Sequence, residues 1–346
     1  MQLPEEILNK IMEIAYNINK KEISQNFRKI SDKYIGEKKG ESLLSKDEEA
    51  IAYSIARMPA TYGAVRESSS QMLELFDSDT LNSVKTLIDV GAGTGAATLA
   101  LIDELKKSNI SINNITCLER EDAMIKLGKT LFEASDIEVI KNASWVKFDI
   151  NANTKNITFE NNKNVNEPID SMNADIVITS YMLNEFPEEK VIDVVDKLWN
   201  MTNNILIIVD PGTPKDHKRL VKIKNHLSEK GGNIIAPCTC KFGCDLPETD
   251  WCHFTCRVER TRLQKQAKGG EVPFEDEKFT YLVVSKKWNR SHQKVSRIIR
   301  HPVIRPNMIE IKMCSNGEIV SKIYTKKDKE AYKRLKKAKV GNIIVE

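Results

Sequence analysis

No stretch of this chain approaches the roughly 20 consecutive apolar residues that a helix needs to cross a bilayer, so a helical membrane anchor is not expected. The opening Met1-Gln2-Leu3-Pro4-Glu5-Glu6 is acidic and has neither a basic n-region nor an Arg-rich amphipathic arm. A signal or transit peptide is therefore not expected, and the cytoplasm is the expected compartment. Without a secretory context, the seven cysteines are not read as a disulfide framework. Internal repeats are also missing. The composition, 40% hydrophobic and 29% charged, excludes wholesale disorder. The 346 residues give room for one large or two modest domains, each with a core.

The net charge is only +4, but it is unevenly spread. From Lys286 to Glu346, seventeen Lys and Arg stand against five Asp and Glu, a net of +12, which leaves −8 on residues 1–285. A basic C-terminal module on an acidic body suggests a polyanionic partner, nucleic acid first. A solvated Lys-rich surface is the plainer alternative.

Residues 1–78 read as helical, with apolar residues at helical spacing in Ile7, Leu8, Ile11, Met12, Ile14 and Ala15 and again from Glu49 to Leu75. Pro59 should break or restart a helix there. From Val84 the pattern becomes alternating strands and helices: strands at Thr86–Val90, Asn114–Leu118, Asp175–Thr179 and Asn204–Val209, helices at Ala96–Lys107 and Lys190–Trp199. Such alternation predicts a parallel sheet covered by helices on both faces. The Asn-rich stretch from Asn151 to Asn166 reads as a polar loop or insertion. Pro214–Lys230 is a helix stopped by Gly231-Gly232, and Phe279–Val284 is a strand. In the basic tail, Met308–Met313 and Ile319–Tyr324 flank Asn316-Gly317, a hairpin signal.

Asp89-Val90-Gly91-Ala92-Gly93-Thr94-Gly95 follows a strand and opens a helix. Its glycines allow close backbone approach to a ligand, and the helix start offers free N–H groups. The spacing G-x-G-x-G is not the dinucleotide fingerprint. With Asp89 ahead of the glycines it favours S-adenosylmethionine over NAD. Glu119, ending the second strand, is placed to accept from the two ribose hydroxyls. Asp149 is placed for the adenine amino group, and Ser180 follows the strand Asp175–Thr179. The candidate cofactor residues are thus Asp89, Gly91, Ala92, Gly93, Gly95, Glu119, Asp149 and Ser180.

Catalytic residues do not declare themselves. Base-amine methyltransferases often carry an Asn/Asp-Pro-Pro-aromatic motif after the fourth strand. Here that place reads Ser180-Tyr181-Met182-Leu183-Asn184-Glu185-Phe186, and no cysteine is near to attack a pyrimidine. Methyl transfer asks little of the protein beyond alignment, so Tyr181, Asn184 and Glu185 serve equally as residues closing the cofactor site.

Five cysteines crowd into nineteen residues: Cys238, Cys240, Cys244, Cys252 and Cys256. Crowded thiols in a reducing compartment point to a metal or redox centre. From the residues alone, zinc (with His253 as a possible fourth ligand) and iron–sulfur stand nearly even. Cys117 reads as core. Arg257, Arg260, Arg262, Lys265 and Lys268 would face phosphates if helical, or form a salt network with Glu259, Glu271, Glu275, Asp276 and Glu277.

The segments Ala236-Pro237-Cys238, Cys244, Trp251-Cys252-His253-Phe254 and Arg257-Val258-Glu259-Arg260 form one distinctive set. Lys268-Gly269-Gly270-Glu271-Val272-Pro273-Phe274 and Pro211-Gly212-Thr213-Pro214 complete it. Together with the Asp89 glycine loop they resemble the methyltransferase-like ribosomal small-subunit assembly family, from about Arg57-Met58-Pro59 to the C-terminus. The resemblance implies a Rossmann-like class I methyltransferase fold associated with the small ribosomal subunit and its rRNA. It also implies a [4Fe–4S] cluster on Cys238, Cys244, Cys252 and Cys314, with Cys240 and Cys256 extra.

The expectation is therefore an α/β chain in four parts. A helical cap (1–78) precedes a Rossmann-like S-adenosylmethionine-binding domain (79–235). A cysteine-rich metal loop with the last sheet strands (236–285) leads to a basic β-module (286–346). The expected function is that of a monomeric, S-adenosylmethionine-binding, iron–sulfur methyltransferase-like protein acting on the small subunit. A catalytically silent assembly factor and a zinc-containing RNA methyltransferase are the alternatives.

Overall fold

The apolar run Thr86–Val90 forms β1, a buried strand near the middle of a ten-stranded sheet. The computed structural model describes residues 1–16, 46–151, 157–159, 164–165, 172–268, 271–291 and 294–345. Nine strands follow the order β5-β4-β3-β2-β1-β6-β7-β10-β8, and β9 adds to β10. They are β2 (Asn114–Glu119), β3 (Ser144–Lys147), β4 (Ile157–Phe159), β5 (Asn164–Val165), β6 (Ala174–Ser180), β7 (Thr202–Pro211), β8 (Asn233–Ala236), β9 (Phe254–Glu259) and β10 (Phe274–Ser285). Strands β3, β2, β1, β6 and β7 run parallel; β10 lies antiparallel to β7. This is the sheet of the class I methyltransferase fold, with the chain order reversing beside β1.

Strand periodicity sorts the core into two layers. Leu87, Ile176, Ile178, Ile205 and Ile207 pack toward the helices Met58–Leu73, Ala96–Lys107 and Asp122–Glu133. Their neighbours Ile88, Val177, Leu206 and Ile208 pack toward Val191–Met201 and Pro214–Glu229. Alternate residues of a strand point to opposite faces, so both faces are apolar only when both are covered. The helix Glu5–Tyr16 buries Ile7, Ile11 and Ala15, one stripe at helical spacing. Pro59 sits in the first turn of Met58–Leu73, where its missing N–H costs nothing. Among the described residues no helix is long and apolar enough to cross a membrane.

Two local expectations change. The Asn-rich stretch is not all loop: β4 and β5 lie within it and extend the sheet antiparallel from β3. Its other residues from 152 to 171, like Gly269 and Gly270, fall outside the described residues. The Phe279–Val284 strand is the second half of a twelve-residue β10, whose first half pairs β9. Strongly charged Glu275-Asp276-Glu277 hid that half from a hydrophobic pattern.

A second sheet of five strands forms the basic C-terminal module: β11 (Val295–Ile298), β12 (Val303–Arg305), β13 (Met308–Ser315), β14 (Glu318–Thr325) and β15 (Ile343–Val345). Asn316 (φ 49°) and Gly317 (φ 93°) make the β13–β14 turn, the paired left-handed residues that a tight hairpin requires. Ile309, Ile311 and Met313 close a small core with Ile298, Tyr324 and Leu335.

The module is joined to the rest by Arg297, 1% exposed on β11. Its guanidinium donates to the carbonyls of Pro237 (2.9 Å) and Gly341 (2.6 Å) and to Gln71 Oε1 (3.1 Å). Tyr281 donates to the same Gln71 oxygen at 2.7 Å. Arg297→Leu would strand these acceptors in a dry joint. A loss of about 3–5 kcal/mol is expected, read by denaturant unfolding. Arg297→Lys should recover only part of it, because an ammonium lacks the planar fork.

Candidate cofactor cleft and cysteine centre

The carboxyl ends of β1, β2 and β6 open onto a cleft of about 710 Å³. Ligands bind at this position in open α/β sheets. Five of the eight expected cofactor residues line it: Gly91, Gly93, Glu119, Asp149 and Ser180. The glycine loop passes over β1 with Gly91, Gly93 and Gly95 all in the left-handed region (φ 71°, 58° and 86°). At Gly95 a Cβ would also stand 2.3 Å from the Phe132 ring, so the position is closed to any side chain. Ala92 is buried in the loop, and neither it nor Gly95 reaches the cleft wall.

Asp89 does not reach the cleft wall either. It is fully buried, and its Oδ2 accepts from Thr98 N (3.1 Å) and Thr98 Oγ1 (2.8 Å). Gly95 occupies the N-cap of the helix Ala96–Lys107 and has no side-chain oxygen to offer. Asp89 supplies that oxygen from the neighbouring strand, so its place is under the loop, shaping it. Burial pushes its carboxyl up to about 7.

Glu119 faces the cleft with both oxygens held. Oε2 accepts from Gly93 N at 2.8 Å; Oε1 accepts from Arg120 N at 2.8 Å and Glu121 N at 3.0 Å. Burial raises its pKa, and these backbone donors oppose the rise. The carboxylate is thereby fixed in one orientation, with acceptor capacity left on Oε2. Asp149 Oδ1 accepts from Asn151 N at 2.8 Å.

Tyr53, Arg57 and Glu277 were not singled out for this site by the sequence, whereas Tyr181 was expected to close it. Tyr53, from the helix Asp47–Ala56, lines the cleft beside Tyr181. Tyr181 takes a left-handed backbone (φ 55°) and donates to Glu277 Oε1 at 2.9 Å. Arg57 donates to that same oxygen at 3.1 Å, and its guanidinium lies 5.7 Å from the Tyr181 ring centre. Segments more than 200 residues apart thus build one wall, and only long-range contact reveals it. Asn184 and Glu185 lie on a single 3₁₀ turn, and of the two Glu185 lines the cleft.

The cysteine loop leaves β8 and returns through β9, and both strands pair with β10. Its free cysteines sort themselves. Cys256, on β9, turns toward Gly63 of the helix Met58–Leu73, away from the others. Cys117 is buried, with Thr98 Oγ1 at 3.7 Å. Cys238, Cys244, Cys252 and Cys314 share one environment. Burial raises the Cys252 thiol, and Cys238, Cys244 and Cys314 raise it further. Burial pushes Cys238 up to about 11, with Cys240, Cys244 and Cys314 adding to the rise and Lys224 opposing it. Cys314 reaches the loop from β13, with Thr239 Oγ1 3.2 Å from its sulfur, while Gly317 N donates to that hydroxyl at 3.1 Å. Cys240 instead accepts from buried Lys224 at 3.5 Å. Trp251 donates to the Gly212 carbonyl at 2.9 Å, tying the loop to the end of β7. Among the described residues no three His, Cys, Asp or Glu side chains are gathered as ligands of a single metal ion.

Of the basic residues after the loop, Arg257 and Arg260 pair with acids, while Arg262, Lys265 and Lys268 lie on the helix Arg262–Lys268. Arg257 lies on β9, not a helix, and grips Asp276 at 2.7 Å; Arg260 lies 3.3 Å from Glu275.

The sequence pattern of the family described as mitochondrial small ribosomal subunit Rsm22 matches residues 47–344. The chain belongs to that family. It is similar to the human ribosome assembly protein METTL17, mitochondrial, at 23% identity over 279 residues, 77% of this chain and 55% of that protein. The chain thus spans about half the length of this relative. Among solved structures it is similar to the plantazolicin methyltransferase BpumL in complex with SAH (12% identity, TM-score 0.40, covering 81% of this chain and 99% of that one). It is also similar to magnesium protoporphyrin IX methyltransferase ChlM from Synechocystis PCC 6803 with bound SAM (12% identity, TM-score 0.39, covering 78% of this chain and 98% of that one).

Asp89 gives the site a pH signature. Its folded pKa of about 7 lies above the unfolded value of about 3.9, so folding favours the protonated form. Its contribution to stability is full below pH ~4 and is lost as pH rises through ~7. Unfolding of Asp89→Asn and wild type across that range should show the wild type losing relative stability up to pH ~7 and no further change above it.

Proposed function

We propose that the protein acts on the small ribosomal subunit during its assembly or in translation, binding S-adenosylmethionine in the cleft and rRNA through its basic module. The observation that carries this reading is the family match over residues 47–344, joined to an open cleft at the switch point of a methyltransferase sheet. Glu119 would hold the ribose hydroxyls, the Gly91–Gly93 backbone the amino-acid portion, and Asp149 the adenine amino group. The basic module supports the RNA partner. From Lys322 to Lys339, nine Lys and Arg are exposed and make no ion pair among the described residues. Uncompensated cations suit a phosphate backbone.

The cysteine centre is proposed as a [4Fe–4S] site on Cys238, Cys244, Cys252 and Cys314. The fit rests on four mutually interacting, half-buried thiols drawn from both the loop and β13. Such a cluster needs thiolates and shelter from water, and it would clip the basic module to the α/β domain.

Methyl transfer to rRNA is the reading of activity, with a silent, cofactor-binding assembly factor as the second. The second is favoured by Tyr181, whose hydroxyl is already committed to Glu277, an acid that Arg57 also holds. Labelled methyl transfer to small-subunit RNA separates the two.

Glu119→Gln should weaken S-adenosylmethionine binding about tenfold or more by calorimetry, since it removes the charge from the diol acceptor. Unchanged affinity would remove the cleft from this reading. Protein purified without oxygen should carry about four irons and four sulfides per chain, lost in Cys252→Ser. One zinc and no sulfide would replace the cluster by a structural metal.

A further inference from the structure

The sheet edge at β8 carries a second, polar pocket of about 630 Å³. Asn233, Ile234, Lys241, Asn289 and Arg290 line it. No carboxylate lies among them, and the Lys241 ammonium has no ion pair among the described residues. Arg290 is anchored rather than neutralised: it donates to the carbonyls of Cys238 (3.5 Å) and Thr239 (3.2 Å). A guanidinium held by carbonyls stays cationic, and it has five N–H donors to share.

The next residue, Phe242, is 53% exposed. It is not on a loose loop tip. Ser228 Oγ donates to the Lys241 carbonyl at 3.0 Å, and Gly243 N donates to Asn225 Oδ1 at 3.1 Å. A large apolar ring is thus held in water between two anchored peptide groups, directly after Lys241 of the pocket in the chain. Cations that hold a backbone phosphate, next to an aromatic face that takes an unpaired base, are the components of a single-strand site.

We propose that this pocket binds single-stranded rRNA, with Lys241 and Arg290 on a phosphate and Phe242 stacked on the neighbouring base. The identity of the partner as RNA rests on the proposed function; the place and the strand type are read from the pocket. Because Arg290 is oriented by the carbonyls of Cys238 and Thr239, the contact inherits the geometry of the cysteine loop.

Fluorescence anisotropy of the full chain with single-stranded and duplex fragments of small-subunit rRNA, over a salt series, tests this. Lys241 and Phe242 are exposed, so Lys241→Ala and Phe242→Ala should fold as the wild type does. Phe242→Ala should weaken single-strand binding about tenfold, leave the salt slope unchanged and spare duplex binding. Lys241→Ala should weaken binding and reduce the salt slope by about one. Wild-type binding that neither variant alters overturns the pocket and leaves the RNA reading standing. A wild-type chain that binds neither RNA overturns the RNA reading and the pocket with it.

Discussion

A guanidinium taken out of water must find oxygen acceptors, and Arg297 finds them in three separate places. Pro237 precedes the cysteine loop, Gln71 lies on an N-terminal helix, and Gly341 precedes the last strand. No carboxylate is among these partners, so the joint depends on geometry rather than on ion pairing. The cost of desolvating the charge falls on any arrangement that separates these segments. Cysteine loop, helical layer and basic module are thereby held in one relation, and Cys314 is delivered to the loop as a consequence.

Strand β10 is the second element that unites the sites. Along one edge it pairs β7 from Phe279 to Ser285. Along the other it takes β9 and then β8, the two ends of the cysteine loop. Glu277, within its first half, holds Tyr181 at the cofactor cleft. Gly212 packs against its backbone, where a Cβ would come within 2.8 Å of Lys278 and Phe279, and accepts from Trp251 of the loop. The cleft and the cysteine centre are therefore neighbours through one strand, although their residues lie far apart in the chain.

Burial sets the electrostatics of both regions. Asp210, which ends its strand near Arg219, is pushed up to about 8 by burial against the pull of that arginine. Asp89 is raised in the same way. Glu119 sits equally deep but has three backbone donors, which favour its charged form. Depth alone does not distinguish a supporting acid from a ligand-facing one. The number and direction of its donors do.

Local chemistry determined much that was legible in the sequence. Buried parallel strands are apolar runs, so β1, β2, β6 and β7 were recognisable with shifts of one or two residues. The glycine run announced a tight loop after β1, Asn316-Gly317 announced its hairpin, and the clustered cysteines fell on the one loop between β8 and β9. Tertiary structure decided what depends on partners distant in sequence. It placed Asp89 beneath the loop rather than in the cleft, because the helix start needed an acceptor that Gly95 cannot provide. It put Arg257 on a strand opposite Asp276, since β10 carries acidic residues where a pattern reader expects apolar ones. It also brought Tyr53 and Tyr181 to one cleft wall and set Glu277 and Arg57 behind Tyr181. A sequence fixes which groups need partners; only the closed fold, by excluding water, decides which partners they get.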